Sequence, residues 1–354
     1  MYLFLIFVQR NKFYFKIHIF VIIQKIIYIC TPQNMKNMNN VLVIGASGQI
    51  GSELVLALRN KLGGNHVVAA DLRYPLAAEL AEGGPSCKID AIQAQEIADV
   101  VKKYNIDTIY NLVAILSATA EANPMLGWNI GMGSLLNCLE VAREYKTALF
   151  TPSSIGAFGP ETPADKTPQD TIQRPKTIYG VSKVAGELLS DYYFKRFGVD
   201  TRSVRYPGLI SNKTLPGGGT TDYAVEIYYA AVKGEKFICP LKKGTFMDMM
   251  YMPDAIDAAI DLMEIDPARL IHRNAFNVTA MSFDPEIIYN EIKKHYPNFV
   301  MEYDINPLKQ SIADSWPNSM DDTCARVEWG WNPKHNLTSM TEDMIKELKK
   351  NYKK

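Results

Sequence analysis

The chain has 354 residues, 47% of them hydrophobic, with 38 basic side chains against 38 acidic ones. That length accommodates one large α/β domain with a smaller lobe, and the apolar share is ample for a buried core. Balanced charge argues against a nucleic-acid surface or a polybasic membrane contact, and five scattered cysteines without a CxxC pair or histidine cluster argue for a reducing compartment and against disulfides or structural zinc.

Residues 1–38 stand apart. They contain no acid, and Arg10, Lys12, Lys16 and Lys25 break their apolar runs into pieces well short of the ~20 residues a spanning helix needs. A mitochondrial presequence would be basic and acid-poor in the same way, but richer in Arg and Ser. The reading adopted is an upstream extension with translation starting at Met35 or Met38, outside the fold. The expected location is then cytoplasmic, and mitochondrial only if the extension is a real presequence.

The globular pattern starts at Val41. The apolar, β-branched run Val41–Ile44 reads as a strand ending in Gly45-Ala-Ser-Gly48-Gln-Ile-Gly51, and Leu54, Leu58 and Leu62 follow at helical spacing. Strand, glycine-rich turn and helix form the context in which such a turn binds a pyrophosphate at helix-terminal N–H groups. The predicted cradle is Gly45, Ser47, Gly48, Gln49, Ile50 and Gly51. The next strand, His66–Ala70, ends in Asp71, a carboxylate placed to accept both ribose hydroxyls and to repel a 2′-phosphate, which favours NAD. Leu72 and Arg73 stand beside it, and Arg73 partly offsets that charge. Cys87–Ala91 reads as a short strand end. Its Asp90 is either an adenine ligand, with Ala91 next to it, or a plain turn aspartate. Ile106–Ala114 reads as the fourth strand, with Leu112 and Ala114 making backbone contact with the cofactor.

Helical segments near Pro124–Arg143 and Tyr179–Phe197 flank a fifth strand, Ala148–Thr151. Strands alternating with helices through 41–210 predict an α/β fold of the Rossmann type, a doubly wound parallel sheet, with a smaller C-terminal substrate-binding lobe. Ligands of such sheets bind beyond the carboxyl ends of the strands, where Ser153 and Ser154 follow strand five. Downstream, Tyr179 and Lys183 fall four residues apart on one helical face. An ammonium beside a phenol favours the phenolate, which makes it a base able to take a proton from an alcohol. Ser154 would hold that alcohol. Tyr179-x-x-x-Lys183 by itself is an ordinary amphipathic helix start; the glycine turn, Asp71 and Ser154 together overturn that reading.

These residues resemble the extended short-chain dehydrogenase/reductase superfamily, in its epimerase-like branch, over roughly residues 40–350. More narrowly the chain is similar to short-chain-type L-threonine 3-dehydrogenases, through Ser154–Pro160, Arg205–Ser211, Pro216–Tyr223 and Trp316–Asp322. The resemblance implies NAD-dependent oxidation of the C3 hydroxyl of L-threonine to 2-amino-3-oxobutanoate, the first step of threonine breakdown to glycine, with no metal required. It implies Tyr179 as base, Lys183 supporting it and binding the nicotinamide ribose, and Ser154 in a position where related enzymes often carry threonine. Tyr206 and Pro207 join the cofactor contacts. Ser117, Thr220 and Thr221 become partners of the amino acid's charged groups, spacing alone not choosing between the two threonines, and Trp316 either closes the pocket or is core. Asn111-Leu-Val-Ala departs from the commoner Asn-x-Ala-Ala by one valine.

Two other readings compete. A nucleotide-sugar epimerase or dehydratase shares the triad but needs arginines for a diphosphate, and 212–335 offers only Arg269, Arg273 and Arg326. A non-catalytic Rossmann redox sensor has no use for an intact Ser154, Tyr179 and Lys183. The expected organisation is a nucleotide domain over 39–211, rejoined by chain near 250–280, and a substrate lobe made mainly of 212–350. The expected partners are L-threonine and a second copy of the chain, docked through the helices flanking strand five, with no nucleic acid and no membrane.

Overall fold

The structure is a computed structural model that describes residues 38–213, 217 and 219–352. Residues 1–37, with Cys30, and positions 214–216 and 218 of the glycine-rich block lie outside the described residues, whereas Met38, expected outside the fold with the rest of 1–38, is buried in one core with Val41, Val43 and Leu54.

In chain order the first half runs β1 (Val41–Ile44), α1 (Gln49–Leu62), β2 (Val67–Asp71), α2 (Ala78–Glu82), β3 (Ser86–Lys88), α3 (Ala94–Tyr104) and β4 (Thr108–Asn111). There follow α4 (Ser117–Ala122), α5 (Pro124–Tyr145), β5 (Ala148–Phe150), β6 (Ser153–Ser154), α6 (Ile178–Phe197), β7 (Thr201–Arg202), β8 (Val204–Tyr206) and β9 (Gly208–Ile210). Six of these strands pair in the order β3-β2-β1-β4-β5-β7, every pair parallel. Side chains alternate across β1: Val41 and Val43 enter one core with α1, while Leu42 and Ile44 enter the other with α3 and α5. Both faces are covered, so the strands read as continuous apolar runs. The predicted parallel, doubly wound sheet is therefore the observed one. Strand four is shorter than the apolar run 106–114 suggested, because its register with β1 ends at Asn111.

The second half runs α7 (Tyr223–Lys233), β10 (Phe237–Cys239), β11 (Met247–Tyr251), α8 (Met252–Glu264), β12 (Phe276–Asn277), β13 (Met281–Phe283) and α9 (Pro285–Lys293). It ends with β14 (Met301–Tyr303), α10 (Pro307–Ala313), α11 (Thr323–Trp329) and α12 (Leu337–Tyr352). A separate core forms from Ile210, α7, β10, β11, α9 and α12. The stretch Met252–Val278 packs instead on the first core, beside β1 and α1, as do Ala325, Trp329 and Trp331. Arg202 fastens this return. Fully buried, it donates to the carbonyls of Leu262 (2.6 Å) and Ile265 (2.8 Å), so a guanidinium sits at the carboxyl end of α8 where the helix dipole favours a cation. Its charge is paired with Asp200 at 2.8 Å.

Beyond β5 and β7 the sheet breaks and continues as a second parallel set, β12-β8-β6, which carries Ser153 and Ser154 past the strand ends. Parallel pairing of β11 with β9 links it to the smaller lobe, and β13 adds antiparallel. Among the described residues no helix is long and apolar enough to cross a membrane.

Candidate active site

A cleft of about 390 Å³ opens at the carboxyl ends of the central strands. The glycine turn forms its floor. Gly48 caps α1 without a side chain, and the first helical turn carries no acidic residue, so neither the cap nor that turn competes for the dipole's positive end. A Cβ on Gly51 would lie 2.1 Å from the carbonyl oxygen of Gly45; only glycine lets helix and strand close to this distance. Gly45, Ser47, Gly48, Gln49, Ile50 and Gly51 all line the cleft, as do Arg73, Leu112, Ala114, Tyr206 and Pro207.

Asp71 is buried just behind this floor. One of its oxygens accepts the backbone N–H of Ser47 at 2.9 Å, the other that of Arg73 at 2.8 Å, so the carboxylate orders the turn and the loop that follows β2. Asp71 and Leu72 are not part of the cleft lining, and neither are Asp90 and Ala91. Asp90 accepts the N–H of Ile92 through Oδ1 at 3.1 Å, the local capping expected of a turn aspartate, and Ala91 is buried with its carbonyl bonded to Asn137.

Tyr179 and Lys183 reach the same cleft from α6. Thr177 caps this helix by accepting the N–H of Gly180 at 3.1 Å, and Glu121 accepts that of Ile178 at 2.6 Å, a carboxylate at the positive end of the dipole. Gly180 lets the helix abut the turn after β6: a Cβ there would fall 2.1 Å from the carbonyl oxygen of Gly156. The Tyr179 ring consequently packs on Gly156, two residues from Ser154. Lys183 Nζ donates to the Pro152 carbonyl at 2.7 Å and lies 5.3 Å from the Tyr179 ring centre. Ser154 Oγ accepts the N–H of Gly156 at 3.1 Å, which leaves its own proton to be donated outward.

Beneath these groups lies a network that the spacing did not announce. Ser153 Oγ donates to Glu187, and Arg205 grips the same carboxylate with Nε at 2.9 Å and Nη2 at 2.8 Å. Both charges are buried, Arg205 also bonding the Gln169 carbonyl and Asn277. The sole sequence signal was Glu187 four residues beyond Lys183, which extends the Tyr179–Lys183 row by one turn.

Ser117, Thr220, Thr221 and Trp316 also line the cleft, together with residues that were not predicted, among them Leu116 and Asp222. Thr220 is buried, and neither its hydroxyl nor the indole N–H of Trp316 has a partner among the described residues. Asp222 caps its own turn, accepting the Gly219 N–H at 2.6 Å. The segment from Trp316 to Met320 packs on Ile155 and Phe158, behind the Ser154 turn.

Residues 41–278 match the family model described as NAD dependent epimerase/dehydratase family. The chain belongs to the NAD-dependent epimerase/dehydratase family. Within it, an uncharacterized epimerase/dehydratase of Staphylococcus saprophyticus is 53% identical over 308 residues, 87% of this chain and 96% of that protein. Among solved structures, L-threonine dehydrogenase from Clostridium difficile is 52% identical with a TM-score of 0.87, over 89% of this chain and 99% of that one. The holo form of an L-threonine dehydrogenase from Cupriavidus necator is 47% identical with a TM-score of 0.84, over 87% and 99%. The family's cofactor class, NAD(H), fits a floor of bare helix-terminal N–H groups and a turn that cannot carry a Cβ. An NAD-dependent oxidoreductase or epimerase is thus the activity class of the chain.

Proposed function

We propose that the chain oxidises the C3 hydroxyl of L-threonine to 2-amino-3-oxobutanoate with NAD⁺. The observation that carries the proposal is the Thr220 hydroxyl, buried and without a partner in the same cleft as Tyr179, on a wall whose remaining polar groups suit a small polar substrate. The two L-threonine dehydrogenase structures of high similarity support the same choice.

In this reading Ser154 donates to the substrate's C3 oxygen and Tyr179 takes its proton. Lys183, anchored on Pro152, keeps two donors free to support the phenolate and the cofactor's ribose. Bound NAD⁺ supplies the acceptor for the C3 hydride. Asp71, through its hold on Ser47 and its charge, favours NAD over NADP. Ser117, Thr220 and Thr221 receive the amino and carboxylate groups, and Trp316 covers them. The proposed organisation keeps 39–211 with 250–280 as the nucleotide part and most of 212–350 as the substrate lobe. A second copy of the chain is the proposed partner, because Leu126, Leu136, Val181, Leu188 and Tyr192 on α5 and α6 are exposed.

The test is NADH formation by the purified chain with NAD⁺ and L-threonine, run beside UDP-glucose and UDP-galactose. Threonine-dependent NADH is expected. Turnover of a UDP-sugar with silence on threonine overturns the substrate assignment.

A further inference from the structure

Away from the cleft, the fold brings together three groups that the sequence keeps far apart. Cys324 and Glu328 lie one turn apart on α11 and so share a face. The loop before β12 lays His272 on that face. One ligand atom from each of the three, an imidazole nitrogen, a sulfur and a carboxylate oxygen, lie within 4.8 Å of one another. His272 bonds Glu328 through Nδ1, while its Nε2 stands 3.3 Å from Asp170 Oδ2. The second oxygen of Glu328 accepts the N–H groups of Ile271 (2.7 Å) and His272 (3.0 Å), so the carboxylate is already oriented by the loop it faces. Glu328 is buried and Cys324 half-buried, whereas the Asp170 side chain is 85% exposed and opens the cluster to solvent.

An ion pair that ties the loop to α11 explains His272 and Glu328. It does not explain why the Cys324 sulfur converges on the same point as their nitrogen and oxygen. Nitrogen, sulfur and oxygen donors converging at this spacing suit a borderline-soft divalent ion, and a carboxylate on the far ring nitrogen of a ligating histidine, as Asp170 is here, is the outer support such sites use.

We propose that His272, Cys324 and Glu328 bind a divalent transition ion of the zinc class, with Asp170 supporting the far ring nitrogen of His272 and water in the fourth position. Binding forms a metal–sulfur bond and releases the thiol proton to solvent, with no change of oxidation state. The ion fastens the loop before β12 to α11. Its role is structural and separate from Tyr179, although the chain entering α11 is the Trp316–Asp322 segment that packs behind the Ser154 turn.

The experiment titrates Co²⁺ into the chelator-treated full chain as a spectroscopic stand-in for zinc. One equivalent should bind with a thiolate-to-cobalt charge-transfer band and tetrahedral visible bands, both bleached by Zn²⁺. Cys324→Ser leaves every other thiol in place and should abolish the charge-transfer band and weaken binding at least about tenfold. Asp170→Asn, at an exposed position that the fold tolerates, should keep the band and weaken binding less. Absence of the band in the wild type, or equal cobalt binding by Cys324→Ser, overturns the site. If Cys324→Ser does not fold, X-ray absorption of the zinc-loaded wild type decides: one sulfur ligand supports the proposal, and an oxygen and nitrogen shell alone overturns it.

Discussion

Two walls of one cleft differ in how far their polar groups are already satisfied. On the side of α6, Lys183 is bonded to Pro152, Ser154 to Gly156, and Ser153 to a buried Glu187–Arg205 pair. On the side of Thr220 and Trp316, buried polar atoms have no partner among the described residues. Buried polar groups are ordinarily paired, and leaving one unpaired costs about 1–3 kcal/mol. The difference separates two tasks. The wall that moves the proton in the proposed reading is held by the protein's own bonds, as pre-organised catalysis requires. The wall of Thr220 and Trp316 keeps polar atoms without a partner among the described residues, which in the proposed reading the substrate completes.

Substitutions on the two walls should therefore fail differently. Tyr179→Phe removes the base and nothing that holds the fold, so kcat should fall roughly a hundred- to ten-thousand-fold with an unchanged melting temperature, read by NADH formation and calorimetry. Glu187→Gln strands Arg205 in a buried site; urea unfolding should show a loss of about 3 kcal/mol, with activity lost through the displaced Ser153. Unchanged stability there would break the claim that this wall is held from beneath.

Asp248 sharpens the same contrast through pH. It is buried in β11, accepts the N–H of Met320 at 2.8 Å and bonds Thr279, and burial raises its carboxyl to about 7. The folded state therefore binds this proton more tightly than the unfolded chain, whose aspartates titrate near ~3.9. Its contribution to stability is full at low pH, declines as pH rises from about 4 towards 7, and is flat above. Asp248→Asn, compared with wild type by chemical unfolding across that range, should remove this decline. The smallest effect is expected on the open wall. Thr220→Val removes an unpaired hydroxyl, so stability should be unchanged or higher by up to about 1 kcal/mol while kcat/KM for threonine falls about tenfold.

The legible parts of the molecule were those set by local chemistry. Gly45, Gly48 and Gly51 after an apolar strand, and Tyr179 with Lys183 on one face, depend on neighbours a few residues away, and they specify the floor and the α6 wall. Asp90 was ambiguous for the same local reason, since a turn aspartate and an adenine ligand look alike in sequence, and its bond to the Ile92 N–H through Oδ1 is compatible with both. What could not be read depends on distant pairing. Arg205 looked like part of a short motif, yet its partner is Glu187 on another element, and Ser153 stands on a strand that has left the central sheet. β10 pairs with β14 across a long stretch of chain, so the smaller lobe had no local signature. The His272–Cys324 encounter is of this kind too: spacing argued against a metal site, and folding supplied the ligands from separate elements.

The central claim is hydride removal from C3 of threonine at the pre-organised wall, and the most direct measurement is turnover of L-threonine carrying deuterium at C3. The account predicts that the deuterium appears in the NADH, detected by mass spectrometry, with a rate lower than for unlabelled substrate wherever hydride transfer limits. NADH free of deuterium, or no threonine-dependent NADH at all, would contradict it.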